Sequence, residues 1–409
     1  PPDGQRPECI EMNEEKKLVP KLRFPEFRGA REWEPKRLAD TCLLITNGKA
    51  NAQDHEDDGE YPLFDRSAVI KKSSEFMFDA EAVILPGEGM RFVPKYFQGK
   101  FNLHQRAYAL MRHQGDGRFV YYSLDYLQEL LAKKAVKSTV LSLRLPIVQD
   151  FVIGCPKSAE QQKIADCLSS LDELIAAQAR KVEALKTQKK GLMQQLFPRE
   201  GETQPRLRFP EFQNADEWEE TRLEKLGKLI SGLTYSPDDV RESGLLVLRS
   251  SNVQNGEIAL DDCVYVDPSI KGANLSQPED ILICVRNGSK ALIGKCALIP
   301  QGIPLCTHGA FMTVFRADTP SFVFQLFQSD RYQKQVAGDL GATINSINGS
   351  QFLKYKFFVP KPAEQKRIAD FLASLDTLIT ATTQELETLK THKKGLMQQL
   401  FPAAEAVEA

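Results

Sequence analysis

The chain has 409 residues, and its eight cysteines (Cys9, Cys42, Cys155, Cys167, Cys263, Cys284, Cys296 and Cys306) include no C-x-x-C pair. Its five histidines are equally dispersed. Such scatter excludes zinc ribbons and a disulfide scaffold, and it fits reduced thiols in a cytoplasmic protein. No apolar run approaches the ~20 residues that span a bilayer, and no secretory signal precedes the first hydrophobic stretch, so no membrane partner is expected. The chain has no excess of positive charge: Lys and Arg total 53 against 55 Asp and Glu, a net charge of −2. Binding to a polyanion must then rest on local patches. There is no G-x-G-x-x-G, no G-x-x-x-x-G-K-[ST], no H-E-x-x-H and no Asn/Asp-Pro-Pro-aromatic string. A nuclease-like P-D…E-x-K can be assembled from Pro2, Asp3, Glu14 and Lys16, but it falls in a polar tail and reads as chance. No catalytic residue, metal ligand or cofactor-binding residue is assigned.

What is present is a duplication. Pro156 to Pro198 (PKSAEQQKIADCLSSLDELIAAQARKVEALKTQKKGLMQQLFP) recurs without a gap at Pro360 to Pro402, roughly two-thirds identical. In the first copy Ile164, Leu168, Leu171, Ile175, Gln178, Val182, Leu185, Lys189, Leu192 and Leu196 advance by alternating steps of four and three. In the second copy Ile368, Leu372, Leu375, Ile379, Thr382, Leu386, Leu389, Lys393, Leu396 and Leu400 do the same. This is a coiled-coil seam, bracketed by prolines that cannot sit inside a helix. Each helix would be roughly 55 Å long. The polar breaks match, Gln178 with Thr382 and Lys189 with Lys393; such breaks cost stability but fix register.

A second repeat precedes the first. Lys21-Leu22-Arg23-Phe24-Pro25-Glu26-Phe27 matches Arg206-Leu207-Arg208-Phe209-Pro210-Glu211-Phe212, and at the same shift Trp33 matches Trp218, the only two tryptophans. These lead-ins mark domain starts; Phe24, Phe27 and Trp33 read as core anchors, with docking onto a shared scaffold as the functional alternative. The expected order is a disordered tail (1–20), a globular domain (21–155), a helix (156–198), a linker (199–205), a second globular domain (206–359), a second helix (360–402) and a short tail (403–409). Met12 reads as a natural start, with residues 1–11 an upstream extension. The two globules diverge in sequence. Both read as mixed α/β, with strands at Val83–Leu85 and Ile281–Ile283, turns at Gly87–Gly89 and Asn287–Ser289, and helices near Ser123–Lys134 and Ser321–Ala337. The fold class is therefore α+β: two α/β globules separated by two long antiparallel coiled-coil helices, related by a pseudo-two-fold repeat.

Two windows at corresponding places lack acidic residues. Gly89–Gly115 carries Arg91, Lys95, Lys100, Arg106 and Arg112 with His104 and His113. Ile281–Ala317 carries Arg286, Lys290, Lys295 and Arg316 with Asn287 and His308. Basic windows interleaved with aromatics and glycine turns suit a phosphate-tracking loop. Arginine bonds guanine bidentately and Asn does so to adenine, so Arg91, Arg106, Arg286 and Asn287 are candidates for reading bases. Lys95, Lys100, His104, Lys290, Lys295 and His308 are candidates for backbone contacts. The bland alternative is an ordinary solvated basic face.

Two unlike globules, each followed by EQ-x-x-IAD-x-L-x-SLD-x-LI…LK-x-x-KKGLMQQLFP, resemble the specificity subunit of type I restriction–modification enzymes. The resemblance covers nearly the whole chain from Leu22 to Pro402. It implies that each globule is a target recognition domain reading one half of a bipartite, asymmetric target in double-stranded DNA. It also implies that the long helices act as a ruler, that modification subunits holding S-adenosylmethionine dock on the chain to methylate adenine, and that restriction subunits add ATP- and Mg-dependent translocation and cleavage. This chain would then be non-catalytic. A helix of roughly 55 Å is long enough to set two readers over major grooves ~34 Å apart. A coiled-coil adaptor whose globules bind protein is the alternative, and a self-contained nuclease or methylase a third reading.

Overall fold

The computed structural model describes residues 18–137, 139–340 and 345–407. Two compact units emerge: Pro1–Ala179 with Gln384–Ala409, and Arg180–Thr383. Each unit thus takes part of both long helices, a division the sequence-based boundaries do not anticipate.

In the first unit the strands β1 (Cys42–Asn47), β2 (Tyr61–Phe64), β3 (Phe78–Pro86), β4 (Lys95–Leu103) and β5 (Ala107–His113) join a short edge strand, Lys71–Ser73, in one sheet. Its order is β1-β5-β3-β4-β2-edge. All pairs are antiparallel except β2 with β4. The central strand β3 has a continuous apolar run because both its faces are covered. Val83 and Leu85 pack with Leu110 against the helices α1 (Gly117–Tyr126) and α2 (Gln128–Lys134), through Val120, Leu124, Leu130 and Leu131. Ala82 and Ile84 pack on the other side with Phe64, Phe101, Leu103 and Met111. The helical stretch expected from Ser123 starts earlier, where the Asp116 carboxylate caps the amides of Arg118 and Phe119, and it breaks at Leu127. Seven residues of β4 lie between Lys95, whose ammonium donates to the Ser67 carbonyl at 2.8 Å, and Leu103, which pairs with Phe64, so both ends of the strand meet one short segment.

The second unit repeats this plan. A sheet of β6 (Gly227–Ser231), β8 (Ile281–Cys284), β9 (Cys296–Leu298) and β11 (Met312–Ala317) runs β6-β11-β8-β9. β7 (Leu245–Leu248) and β10 (Cys306–His308) pair in parallel beside it, as β2 and β4 do. Ile281 and Ile283 of β8 face the helices α4 (Pro320–Phe327) and α5 (Asp330–Asp339), while Leu282 and Cys284 face the opposite core.

The frame recurs in detail. Strand Glu34–Arg37 pairs with Val152–Cys155 in one unit, and Glu219–Arg222 with Lys356–Val359 in the other, tying the entry and exit of each globule together. The two long helices are α3 (Ser158–Leu196) and α6 (Pro362–Leu400). The lead-ins dock on them. In the first unit the Leu22 amide donates to the Gln399 carbonyl, and Arg23 grips Glu160 with Nε and Nη2 at 2.8 and 2.6 Å. In the second, the Leu207 amide donates to Gln195, and Arg208 grips Glu364 at 2.9 and 2.6 Å. Trp33 and Trp218 are buried beside these forks. Docking and anchoring are therefore the same feature.

Every seam position named above is buried or half-buried. Leu174 and Leu378, which lie off the seam, are exposed. The helices run antiparallel within each unit. In the first, Asp172 Oδ1 accepts from Lys393 at 2.6 Å and Glu385 accepts from Gln178 at 2.7 Å. In the second, Asp376 accepts from Lys189 at 2.6 and 2.8 Å. Lys189–Asp376 and Lys393–Asp172 are one pair with the helices exchanged, as a pseudo-two-fold repeat requires. Sliding either helix by a heptad would strand a buried ammonium, at a cost of about 3–5 kcal/mol.

Two boundary expectations change. The expected tail 1–20 lies outside the described residues through 17, but Leu18 is buried and its carbonyl accepts from the Trp33 amide. At the other end Ala404–Val407 forms a helical turn with Ala406 and Val407 buried, because these apolar residues complete the core beneath Trp33. Among the described residues, no helix is long and apolar enough to cross a membrane, and no group of three or more His, Cys, Asp or Glu could hold a metal.

Candidate nucleic-acid interface

In the first unit a charged rim forms where the loop after β2, the loop after β3 and the turn before β5 meet. Gly87 permits the approach. Its amide donates to the Arg106 carbonyl at 2.9 Å, and a Cβ there would lie 2.7 Å from that oxygen. Gly89 follows with φ +146, a conformation that L side chains rarely adopt. Between them Glu88, largely buried, accepts from Arg106 Nη1 at 2.7 and 2.8 Å, and Arg66 approaches it at 3.9 Å. Arg91 lies exposed on the same loop, with Met90 and Val93 exposed on either side.

His104 Nδ1 accepts from the Arg106 amide at 3.1 Å. Burial lowers the His104 pKa; Asp65 opposes this, while Arg106, Lys71 and Arg66 add to it. Lys95 is half-buried, which lowers its pKa, and its ammonium is held by the Ser67 carbonyl. It anchors the loop that carries Arg66. Asp65 binds Lys71 at 2.8 Å. Burial pushes the Asp65 carboxyl up, but Lys71 and both the hydroxyl and amide of Ser67 pull it down further, to about 2. Of the sequence candidates, Arg91, Lys95, His104 and Arg106 come together here. Lys100 does not join them; its ammonium sits 4.7 Å from the Phe76 ring and 6.0 Å from that of Tyr61.

In the second unit the equivalent loop carries Arg286 and Asn287. The amides of Val285 and Arg286 donate to the Phe311 carbonyl at 3.0 and 3.1 Å, and the Arg286 guanidinium lies 5.8 Å from the Phe311 ring, which is 58% exposed. Asn287 Nδ2 donates to Ser250 Oγ at 3.2 Å, and its Oδ1 caps the Ser289 amide. Lys290 opens the exposed turn Lys290–Leu292, and Lys295 is exposed just before β9.

His308 is a correction. It was expected to match His104 as a backbone contact, but it is completely buried. The His104 amide donates to Phe64 and the Gly309 amide to Leu248; Leu103 pairs with Phe64 and His308 with Leu248. The true counterpart of His104 is Gly309, and that of His308 is the core residue Leu103. A one-residue offset on a strand turns the side chain to the other face. His308 Nε2 donates to the Ile230 carbonyl at 3.0 Å; burial favours the neutral imidazole, in which Nδ1 accepts from Ser276 Oγ at 2.9 Å. Its pKa is lowered by burial.

Sequence reasoning missed Arg66 and Lys71, because Glu75, Asp79, Glu81 and Glu88 stand between them and the acid-free window that starts at Gly89. It also missed Phe311, because F-M-T-V-F reads as one buried strand when its first residue stands on the turn. Two small residues just ahead, Gly309 and Ala310, were the available signal.

A family model described as Type I restriction modification DNA specificity domain matches residues 30–187 and 215–391. The chain belongs to this family. The two matched stretches of the specificity-domain family coincide with the two copies of the frame. Among curated relatives, the chain is 24% identical over 403 residues to the type I restriction enzyme MjaVIII specificity subunit of Methanocaldococcus jannaschii, covering 92% of this chain and 95% of that one. It is 30% identical over 197 residues to the StySPI specificity subunit of Salmonella potsdam, covering 46% and 42%. Among solved structures, the S subunit of the type I restriction–modification system from M. genitalium superposes with a TM-score of 0.65 at 16% identity, over 94% of this chain and 99% of that one.

Proposed function

We propose that this chain is the DNA-specificity subunit of a type I restriction–modification complex. Each unit reads one half of a bipartite, asymmetric target with its rim, and the paired helices set the spacer and dock the modification subunits. S-adenosylmethionine, ATP and Mg belong to partner modification and restriction subunits, and this chain contributes recognition without catalysis. One observation carries the reading: two copies of a closely matched frame enclose two globules of the same plan whose rims bear different side chains. Selection for one shared partner would keep the rims alike, whereas two unlike half-sites need two unlike rims. DNA footprinting of the chain with and without its methyltransferase subunits tests this. Two protected half-sites separated by an unprotected spacer are expected. A complex that forms but protects no DNA would favour the adaptor reading.

A further inference from the structure

The hydrogen-bond frame assigns Arg106 and Phe311 to one and the same backbone position. In each unit the residue lies just before the last strand of the large sheet. Its carbonyl accepts from the residue that follows the central strand, Gly87 at 2.9 Å in one case and Val285 at 3.0 Å in the other. Two residues earlier, the His104 and Gly309 amides bond the ends of β2 and β7, and their carbonyls accept from Ala107 and Met312. The turn is the same; only its side chain changes. Both side chains are more than half exposed. An exposed phenylalanine on a turn whose next six residues are mostly core has no packing reason to be there.

Resting on the specificity-subunit reading, we infer that this position is the base-contacting point of each unit, with guanine read by Arg106 in the first half-site and a thymine methyl by Phe311 in the second. Arg106 spends only Nη1 on Glu88, which leaves Nε and Nη2 as the edge that can meet guanine O6 and N7. Glu88 is a positioning residue, since it holds that edge outward. Phe311 offers an apolar face, and the thymine C5-methyl is the one apolar group on a major-groove edge. Arg286, stacked by the ring, lies beside it for a phosphate.

The test uses the complex of the chain with its modification subunits. Its methylated motif is first read by sequencing of methylated DNA, and binding is then measured on synthetic duplexes. Replacing the key guanine of the first half-site with 7-deazaguanine should weaken wild-type binding by about tenfold, within the range of one bidentate pair. Arg106→Ala, which removes every donor to guanine, should bind both duplexes alike. Replacing thymine by uracil in the second half-site should weaken the wild type but not Phe311→Ala. Circular dichroism melting checks the fold of each variant. Variants that methylate an unrelaxed motif, or that remain as sensitive as wild type to the modified bases, would overturn the assignment alone. A wild-type complex with no bipartite motif would overturn the specificity-subunit reading beneath it.

Discussion

The fork between Arg208 and Glu364 offers the sharpest test of the frame. Arg208 is 13% exposed and Glu364 only 2%, and the pair is bidentate. Arg208→Met removes one partner and leaves a carboxylate shut away from water. Breaking a buried pair in this way costs about 3–5 kcal/mol, whereas the pair itself is worth little against a well-packed apolar replacement. Each unit contains one tryptophan, buried next to its own fork, so fluorescence reports the units separately. In a Trp33→Phe background only Trp218 is seen. With a urea dependence of roughly 3 kcal/mol per molar for a unit of this size, the Trp218 transition should move down by about 1–1.7 M in Arg208→Met. Adding Glu364→Leu should recover most of that loss. The matching change Arg23→Met, followed by Trp33, should cost about 1 kcal/mol less, because Trp33 Nε1 still donates to Glu160 at 3.3 Å. Trp218 Nε1 finds no partner among the described residues. A Trp218 shift under about 0.3 M, or a double variant no better than the single, would refute the reasoning that the fork is buried and that its cost is one of desolvation.

Arg91→Ala should weaken binding to all sequences alike and lower the slope of log affinity against log salt by about one unit, as loss of a phosphate contact does; a loss confined to one sequence would make Arg91 a base reader. Asp65 titrates in the folded chain at about 2, below its unfolded value near 3.9. Its stabilisation is therefore complete above about pH 4 and is lost as pH falls towards 2, so the acid limb of a Trp33-detected stability profile should flatten in Asp65→Asn. His308 behaves with the same sign at higher pH. Its folded pKa is lowered, so stability of the second unit is intact above about 6.5 and falls below it, and His308→Leu, which mimics Leu103, should remove that dependence. Insertion of one heptad into each long helix should lengthen the preferred spacer between half-sites without altering the half-sites themselves, as read from the methylated motif.

The frame was legible because its signals are local and duplicated. Seam leucines recur every three or four residues, prolines bracket them, and a second copy confirms each position, so Lys189 and Lys393 could be read as register-setting before their aspartates were known. Those partners, Asp376 and Asp172, were not legible, since nothing local says which carboxylate an antiparallel helix will bring opposite. The same holds for Arg23 and Arg208. The lead-in motif announced that they matter, but the carboxylates they grip lie more than a hundred residues away in sequence.

The rims were only half legible, and the reason is parity. A window of charge places residues to within a few positions, but on a strand one position decides between core and solvent. His104 and His308 lie in equivalent windows and have opposite fates, because the second stands one residue earlier relative to the parallel pairing of β7 with β10. Arg106 and Phe311 show the converse. They are unlike in chemistry, so no charge pattern links them, yet the backbone bonds of Gly87 and Val285 put them at one point. Register was the missing datum in both cases. It comes from which carbonyl meets which amide across the sheet, and a fold that keeps those bonds fixed is free to vary what the turn displays.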